Sequence, residues 1–223
     1  ANIIYINKEL EEFSFIHTHE ELSAYIMPRL QANQMNGLFI DEVQDIQGFE
    51  HTLRSLQAQD ACDIFITGSN ASMLSSELST YLGGRYVEFI IYPFSFAEFL
   101  ELYRSITPDI PYQECFQKYF SFGGMPYLAN IRYEDAPSKL YLNDLYNSVQ
   151  LKDIVKRNKI RDIDLLERII AYVIANVGTT FSATSLAKFL KNENRTVAPE
   201  TILNYIRYCC DAYLFYQVKR EDL

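Results

Sequence analysis

Asp41 and Glu42 are the residues whose types and placement point most directly to chemistry. They stand in GLFIDEVQDIQGFE, residues 37–50, where Leu38, Phe39 and Ile40 form a short apolar run that ends abruptly in two acids. A run of that kind, bounded by a turn and then by charge, predicts a strand buried on both faces of a parallel sheet. Carboxylates at the carboxyl end of such a strand project into the crevice where open α/β sheets bind their ligands. An acid pair there suits nucleoside triphosphate hydrolysis. The first acid holds Mg²⁺, usually through its water shell, and the second orients or deprotonates the attacking water. The bland alternative is that the two acids merely end a strand and open a loop.

Further candidates follow in CDIFITGSN. Ile64, Phe65 and Ile66 repeat the apolar strand, and residues 67–70 close it with small polar groups. Ser69 and Asn70 suit contact with a ligand at the strand tip, and equally suit capping of the helix SMLSSELSTYL that follows. Gly83 and Gly84 stop that helix, Arg85 comes next, and YVEFIIYP predicts a third strand. A guanidinium on a glycine hinge suits stabilisation of phosphate charge, because it is always ionised and forks to two oxygens. A surface ion pair would explain Arg85 equally well. His17 and His19 have strand-like i, i+2 spacing, but no cysteine is near them and Thr18 between them has a capping role, which argues against a metal site.

These residues need a scaffold. NIIYIN predicts a strand, Thr18 with Glu21 forms a capping box opening a helix over 19–32, and Phe49, Leu53 and Leu56 space out a helix over 49–57. From Ser95 the pattern is helical and strand-free, broken by Pro108, Pro111, Gly123, Gly124, Pro126 and Pro137. DIDLLERIIAYVIANVG, FSATSLAKFL and APETILNYIRYCCDAYL then predict three helices, with Ser182 as an N-cap and Pro199 in a first turn, and LFYQVKR predicts a closing strand. That order describes a winged helix-turn-helix. Its recognition helix would expose Glu200, Asn204 and Arg207, flanked by Lys188, Lys191 and Arg195. Those are few cations for DNA reading, so a contact with protein or with a neighbouring domain competes with a DNA partner.

The 223 residues, 48% hydrophobic, suffice for one or two domains. No apolar run could span a bilayer, and the first residues lack the basic start of a signal peptide. The four cysteines, two of them adjacent, show no CxxC spacing, so a reducing, cytoplasmic compartment is the simplest expectation. Residues 1–150 hold 8 Lys and Arg against 20 Asp and Glu, and residues 151–223 hold 12 against 9. An acidic body and a mildly basic end suggest two modules with different surfaces.

Taken together, LFIDEVQDI, FITGSNASMLSSEL, GGRYVEFIIYPFSFAEFLE and FGGMPYL resemble a large group of prokaryotic AAA-type ATPases that pair a P-loop core with a winged helix and a further C-terminal domain of unknown function. The resemblance implies that LFIDE is the Walker B strand, with Asp41 the Mg²⁺-associated acid and Glu42 the catalytic base or water-positioning acid. It makes ITGSN the sensor-1 position, with Asn70 or Ser69 reaching the γ-phosphate, and Arg85 a candidate sensor or arginine finger. The cofactors implied are ATP and Mg²⁺. Whether Arg85 acts in its own subunit or across the interface of a homo-oligomer stays open.

One departure matters. A P-loop needs G-x-x-x-x-G-K-[ST], and none of the 8 glycines here is followed by Lys. The strand NIIYIN corresponds to the one after the P-loop helix, which places the phosphate cradle upstream of Ala1. The expectation is therefore an α/β chain: a partial P-loop NTPase parallel sheet over 1–94, a helical region over 95–162 and a winged helix over 163–223. It would be a fragment of a nucleotide-driven switch, inactive alone. The competing expectation is a non-catalytic DNA- or protein-binding module whose ATPase-like half is a scaffold. A metal-dependent nuclease built on Asp41 and Glu42 is disfavoured, because no further acid stands at the tip of the adjacent strand.

Overall fold

A computed structural model describes residues 1–69 and 81–218. Asn70 and most of the helix expected after it lie outside the described residues. The chain divides into two compact units, one of Ala1–Tyr86 with Asp153–Leu223 and the other of Val87–Lys152. Among the described residues, no helix is long and apolar enough to cross a membrane.

In the first unit, strands β1 (Asn2–Asn7), β2 (Asn36–Asp41) and β3 (Asp63–Ile66) form a parallel sheet in the order β1-β2-β3. The register pairs Ile4 with Leu38 and Ile6 with Ile40, and the period of two sends all four side chains to one face. There they meet Leu22 and Ile26 of α1 (His19–Ile26) and Phe49, Leu53 and Leu56 of α2 (Phe49–Ala58) in one core. The opposite face is open among the described residues. Ile3 is 67% exposed and Phe65 55%, and Phe39 stacks on Phe65 with ring centroids 4.7 Å apart. Among the described residues β2 is thus fully buried on one face and half-buried on the other, where burial on both was expected. At the other end of the strands, buried Asn36 ties all three together. Its Oδ1 accepts from Asn2 at 2.8 Å, and its amide donates to the carbonyls of Gln31 and Ala61, each at 3.1 Å.

The capping box of α1 is formed, with Glu21 N–H on the Thr18 hydroxyl and the Glu21 carboxylate on Thr18 N–H. The helix is shorter than expected, passing at Met27 into a single 3₁₀ turn, Met27–Arg29. Pro28 has no N–H to continue the α-helical ladder. The strand expected over 86–93 is not formed. Its residues are irregular, and Val87, Phe89 and Ile91 are 77%, 81% and 88% exposed. β propensity measures fit to a sheet rather than a backbone preference, so apolar β-branched residues without a ladder make no strand.

The second unit is helical, with α3 (Phe96–Ile106), α4 (Tyr112–Phe122) and α5 (Asp135–Ser148) around Phe99, Tyr103, Cys115, Phe122, Leu128 and Tyr133. Gly124 lies so close to Phe94 that a Cβ there would stand 2.0 Å from the Phe94 carbonyl oxygen, which accounts for a glycine without any phosphate-binding task.

Back in the first unit, α6 (Ile163–Ala175), α7 (Ala183–Asn192) and α8 (Pro199–Asp211) share a core of Leu165, Ile169, Leu186, Leu190 and Ile202. The strand expected after α8 is not formed through Val218, and Lys219 and Arg220 lie outside the described residues. A wing strand needs a hairpin partner, and no strand follows α8 among the described residues.

Candidate functional site

The carboxyl ends of β2 and β3 bring several of the expected side chains together. Asp41 is the last residue of β2 and shares the open face with Phe39, while Thr67, just past β3, shares that face with Phe65. The Thr67 hydroxyl donates to Asp41 Oδ1 and accepts from Glu42 N–H at 3.3 Å, and Thr67 backbone bonds to Ile40 and Val43 continue the β2–β3 pairing past the strand ends. Glu42 then turns the chain in a left-handed conformation (φ 55°, ψ 49°). For a residue with a Cβ this costs about 1 kcal/mol, and non-glycine residues held so cluster at functional sites.

Glu42 faces the tip of β3. Its Oε2 accepts from the Ser69 hydroxyl at 3.3 Å and from Gln44 Nε2, which also lies 3.2 Å from Ser69 Oγ. Asp41, Glu42 and Ser69 are therefore brought together, and Thr67 and Gln44 join them. Sequence reasoning gave Thr67 and Gln44 no role. Thr67 stood in plain view in the polar tip of β3, whereas nothing in VQD signals that Gln44 folds back on the acid two residues before it. Asn70 falls outside the described residues.

Arg85 is not brought to this cluster. It is exposed, and its backbone carbonyl accepts from Gln57 Nε2 at 2.7 Å. Gln57 stands in the last turn of α2, which runs back from the tip of β2 to the start of β3, at the end of the sheet opposite Asp41. Lys8, which follows β1, sends its ammonium to the Phe13 carbonyl at 2.6 Å. Burial lowers its pKa, and the charges of Asp45 and Glu21 counter that effect.

The donor set fits a hard cation held partly by a ligand. Among the described residues no three His, Cys, Asp or Glu side chains converge as a protein metal cage requires. Mg²⁺ needs no such cage, since it keeps waters and takes one or two carboxylates together with substrate phosphates. Asp41 offers that: Oδ1 is fixed by Thr67, and Oδ2 makes no hydrogen bond among the described residues. His17 and His19 do not converge. His19 instead packs against His51, with ring centroids 5.1 Å apart, and its Nε2 lies 3.1 Å from Glu20. The described cysteines are unpaired thiols, and burial pushes Cys209 up to about 12, so it stays protonated.

On α8, Glu200, Leu203 and Arg207 face outward, and Leu203, between the other two, is 52% exposed. Asn204 is half-buried. Arg195 is committed to Asp162 at 3.1 Å and Asp164 at 2.5 Å, which leaves Lys188, Lys191 and Arg207 as the exposed cations of the expected face. Asp162 caps α6, and the Leu165 N–H, then Arg195, hold its carboxyl below the usual range.

Comparison with known proteins places the chain beside two families. Residues 1–100 match the family model of an AAA domain, and residues 113–221 match a domain of unknown function (DUF8612). An uncharacterized protein of Haemophilus influenzae is 32% identical over 224 residues, covering 100% of this chain and 55% of that protein. An uncharacterized protein of Methanocaldococcus jannaschii is 30% identical over 225 residues, covering 96% of this chain and 50% of its own length. The chain thus spans about half the length of the curated relatives it matches. Its first hundred residues are similar to an AAA-type domain, a kind of domain that binds ATP with Mg²⁺.

Proposed function

We propose that this chain carries the hydrolytic carboxylates of a cytoplasmic AAA-type ATPase whose phosphate-cradling loop is supplied by polypeptide outside residues 1–223. The observation that carries the reading is the cluster at the carboxyl ends of two adjacent parallel strands, Asp41 and Glu42 on one and Thr67 and Ser69 on the other, inside the stretch that matches an AAA domain. In this reading β2 is the Walker B strand and β3 the sensor-1 strand. Asp41 holds the water shell of Mg²⁺, Glu42 orients or deprotonates the attacking water, and Ser69 or Asn70 reaches the γ-phosphate. Arg85, anchored at the far end of the sheet, would serve as an arginine finger only toward the nucleotide of a neighbouring subunit in a homo-oligomer.

The terminal helices α6–α8 are proposed as the helical part of a winged-helix module that responds to nucleotide state. An exposed leucine at the centre of the α8 face, and an Arg195 occupied by acids, favour a protein partner over DNA.

The test is Mg²⁺-dependent ATP binding by the full-length protein. Asp41→Asn should weaken binding in the presence of Mg²⁺ by roughly tenfold and leave Mg²⁺-free binding unchanged. Equal affinity of variant and parent with Mg²⁺ would remove Asp41 from the metal site.

A further inference from the structure

Gln44 has no task in the reading above, yet its placement is specific. It sits in the single 3₁₀ turn Val43–Asp45, with its carboxamide folded back toward the site. Nε2 donates to Glu42 Oε2 and to Ser69 Oγ, and the Ser69 hydroxyl donates to the same Glu42 oxygen. The amide cannot be turned round, because its oxygen would then face a carboxylate oxygen. In the orientation it holds, Oε1 is buried and accepts no hydrogen bond among the described residues. An unpaired buried acceptor costs stability, and so does the left-handed backbone of Glu42 beside it. Both features lie beside the Glu42 carboxylate that Gln44 contacts.

Both donors engage Oε2 of Glu42, while Oε1 makes no hydrogen bond among the described residues. The carboxylate is held by one oxygen and presents the other. We propose that Gln44 is a positioning residue: with Ser69 it anchors Glu42 Oε2 so that Oε1 alone meets the attacking water. This rests on the reading of Glu42 as the water-activating acid. In that step the water oxygen bonds to the γ-phosphorus and its proton passes to Oε1. The bond from the γ-phosphorus to the bridging oxygen breaks, and ADP leaves with the electron pair. An unanchored carboxylate samples several rotamers, and misplacing a base by about 1 Å costs on the order of a hundredfold in rate.

The test compares ATP turnover and ATP·Mg²⁺ binding of the full-length parent with Gln44→Leu, Glu42→Gln and the double variant. Gln44→Leu should lower kcat at least tenfold and leave Kd within about twofold, since it touches the base and not the phosphates. In the double variant the Gln44 change should add nothing to Glu42→Gln, because its effect passes through that carboxylate. Gln44→Glu guards against misfolding of the leucine variant. Its carboxyl donates only when protonated, so its turnover relative to the parent at the same pH should rise as pH falls, in contrast to a merely structural defect. Parental turnover by Gln44→Leu, or an additive loss in the double variant, overturns the proposal. Parental turnover by Glu42→Gln instead defeats the water-activating reading, and the anchoring role falls with it.

Discussion

Replacing Thr67 with valine removes one hydroxyl and little else, because the two side chains have nearly the same shape. That hydroxyl donates to Asp41 Oδ1 and accepts the Glu42 N–H at 3.3 Å, so its loss frees the carboxylate and strips an amide of its acceptor. A hydrogen bond to a charged group is worth about 1.5–3 kcal/mol. Thr67 is exposed and Asp41 half-buried, so water recovers part of this. The long amide contact adds little. The net expectation is about 1–1.5 kcal/mol, close to a factor of ten in a local opening equilibrium. Amide hydrogen exchange reads it residue by residue. Glu42 N–H should exchange about tenfold faster in Thr67→Val, while Thr67 N–H on Ile40 and Val43 N–H on the Thr67 carbonyl keep their protection. Unchanged exchange at Glu42, or equal acceleration at all three amides, would refute the local account of how the strand tip holds the acid pair.

Other regions give independent checks. Gly124→Ala places a Cβ 2.0 Å from the Phe94 carbonyl, which Tyr119 OH also holds at 3.0 Å, so neither side yields easily. It should destabilise the helical unit by about 3 kcal/mol or more, read by urea denaturation. The Asp162 carboxyl is held below its usual range, so its contribution is present above the unfolded pKa of about 3.9 and disappears as pH falls through the lower folded value. Asp162→Ala should thus cost roughly 1 kcal/mol at neutral pH in thermal unfolding, the scale of a lost N-cap, with the difference from the parent shrinking as the carboxyl protonates. With Lys188, Lys191 and Arg207 as its exposed cations, α7–α8 should bind duplex DNA weakly at physiological salt, with a shallow salt dependence in fluorescence anisotropy. Tight, sequence-selective binding would show that the α8 face reads bases.

How much of this was legible follows from which signals are local. The strands β1–β3, the capping box at Thr18, the cap at Ser182, and the helix starts at Phe49 and Pro199 announce themselves through period and terminal chemistry. The juxtaposition of Asp41, Glu42 and Ser69 was readable because parallel strands carry their carboxyl ends to one edge. The open face of the sheet was not, since an apolar run looks the same whether one side or both are covered. YVEFIIYP has the composition of a strand, but a strand exists only with a ladder, and composition names no partner. Gln44 was invisible because its role depends on the left-handed turn at Glu42, and no residue type there demands such a turn. The meeting of His19 with His51, and of Asn36 with Asn2 and Ala61, joins residues far apart in the chain, which spacing cannot reveal.

The central claim is that Glu42 activates the water, and steady-state ATP hydrolysis by full-length Glu42→Gln, measured beside its ATP·Mg²⁺ affinity, tests it most directly. The exchange keeps size and one acceptor oxygen and replaces the basic oxygen with an amide nitrogen that cannot take a proton. Turnover should fall by roughly a hundredfold or more, the scale of a lost positioned base, with affinity unchanged. Hydrolysis at the parental rate would contradict the account.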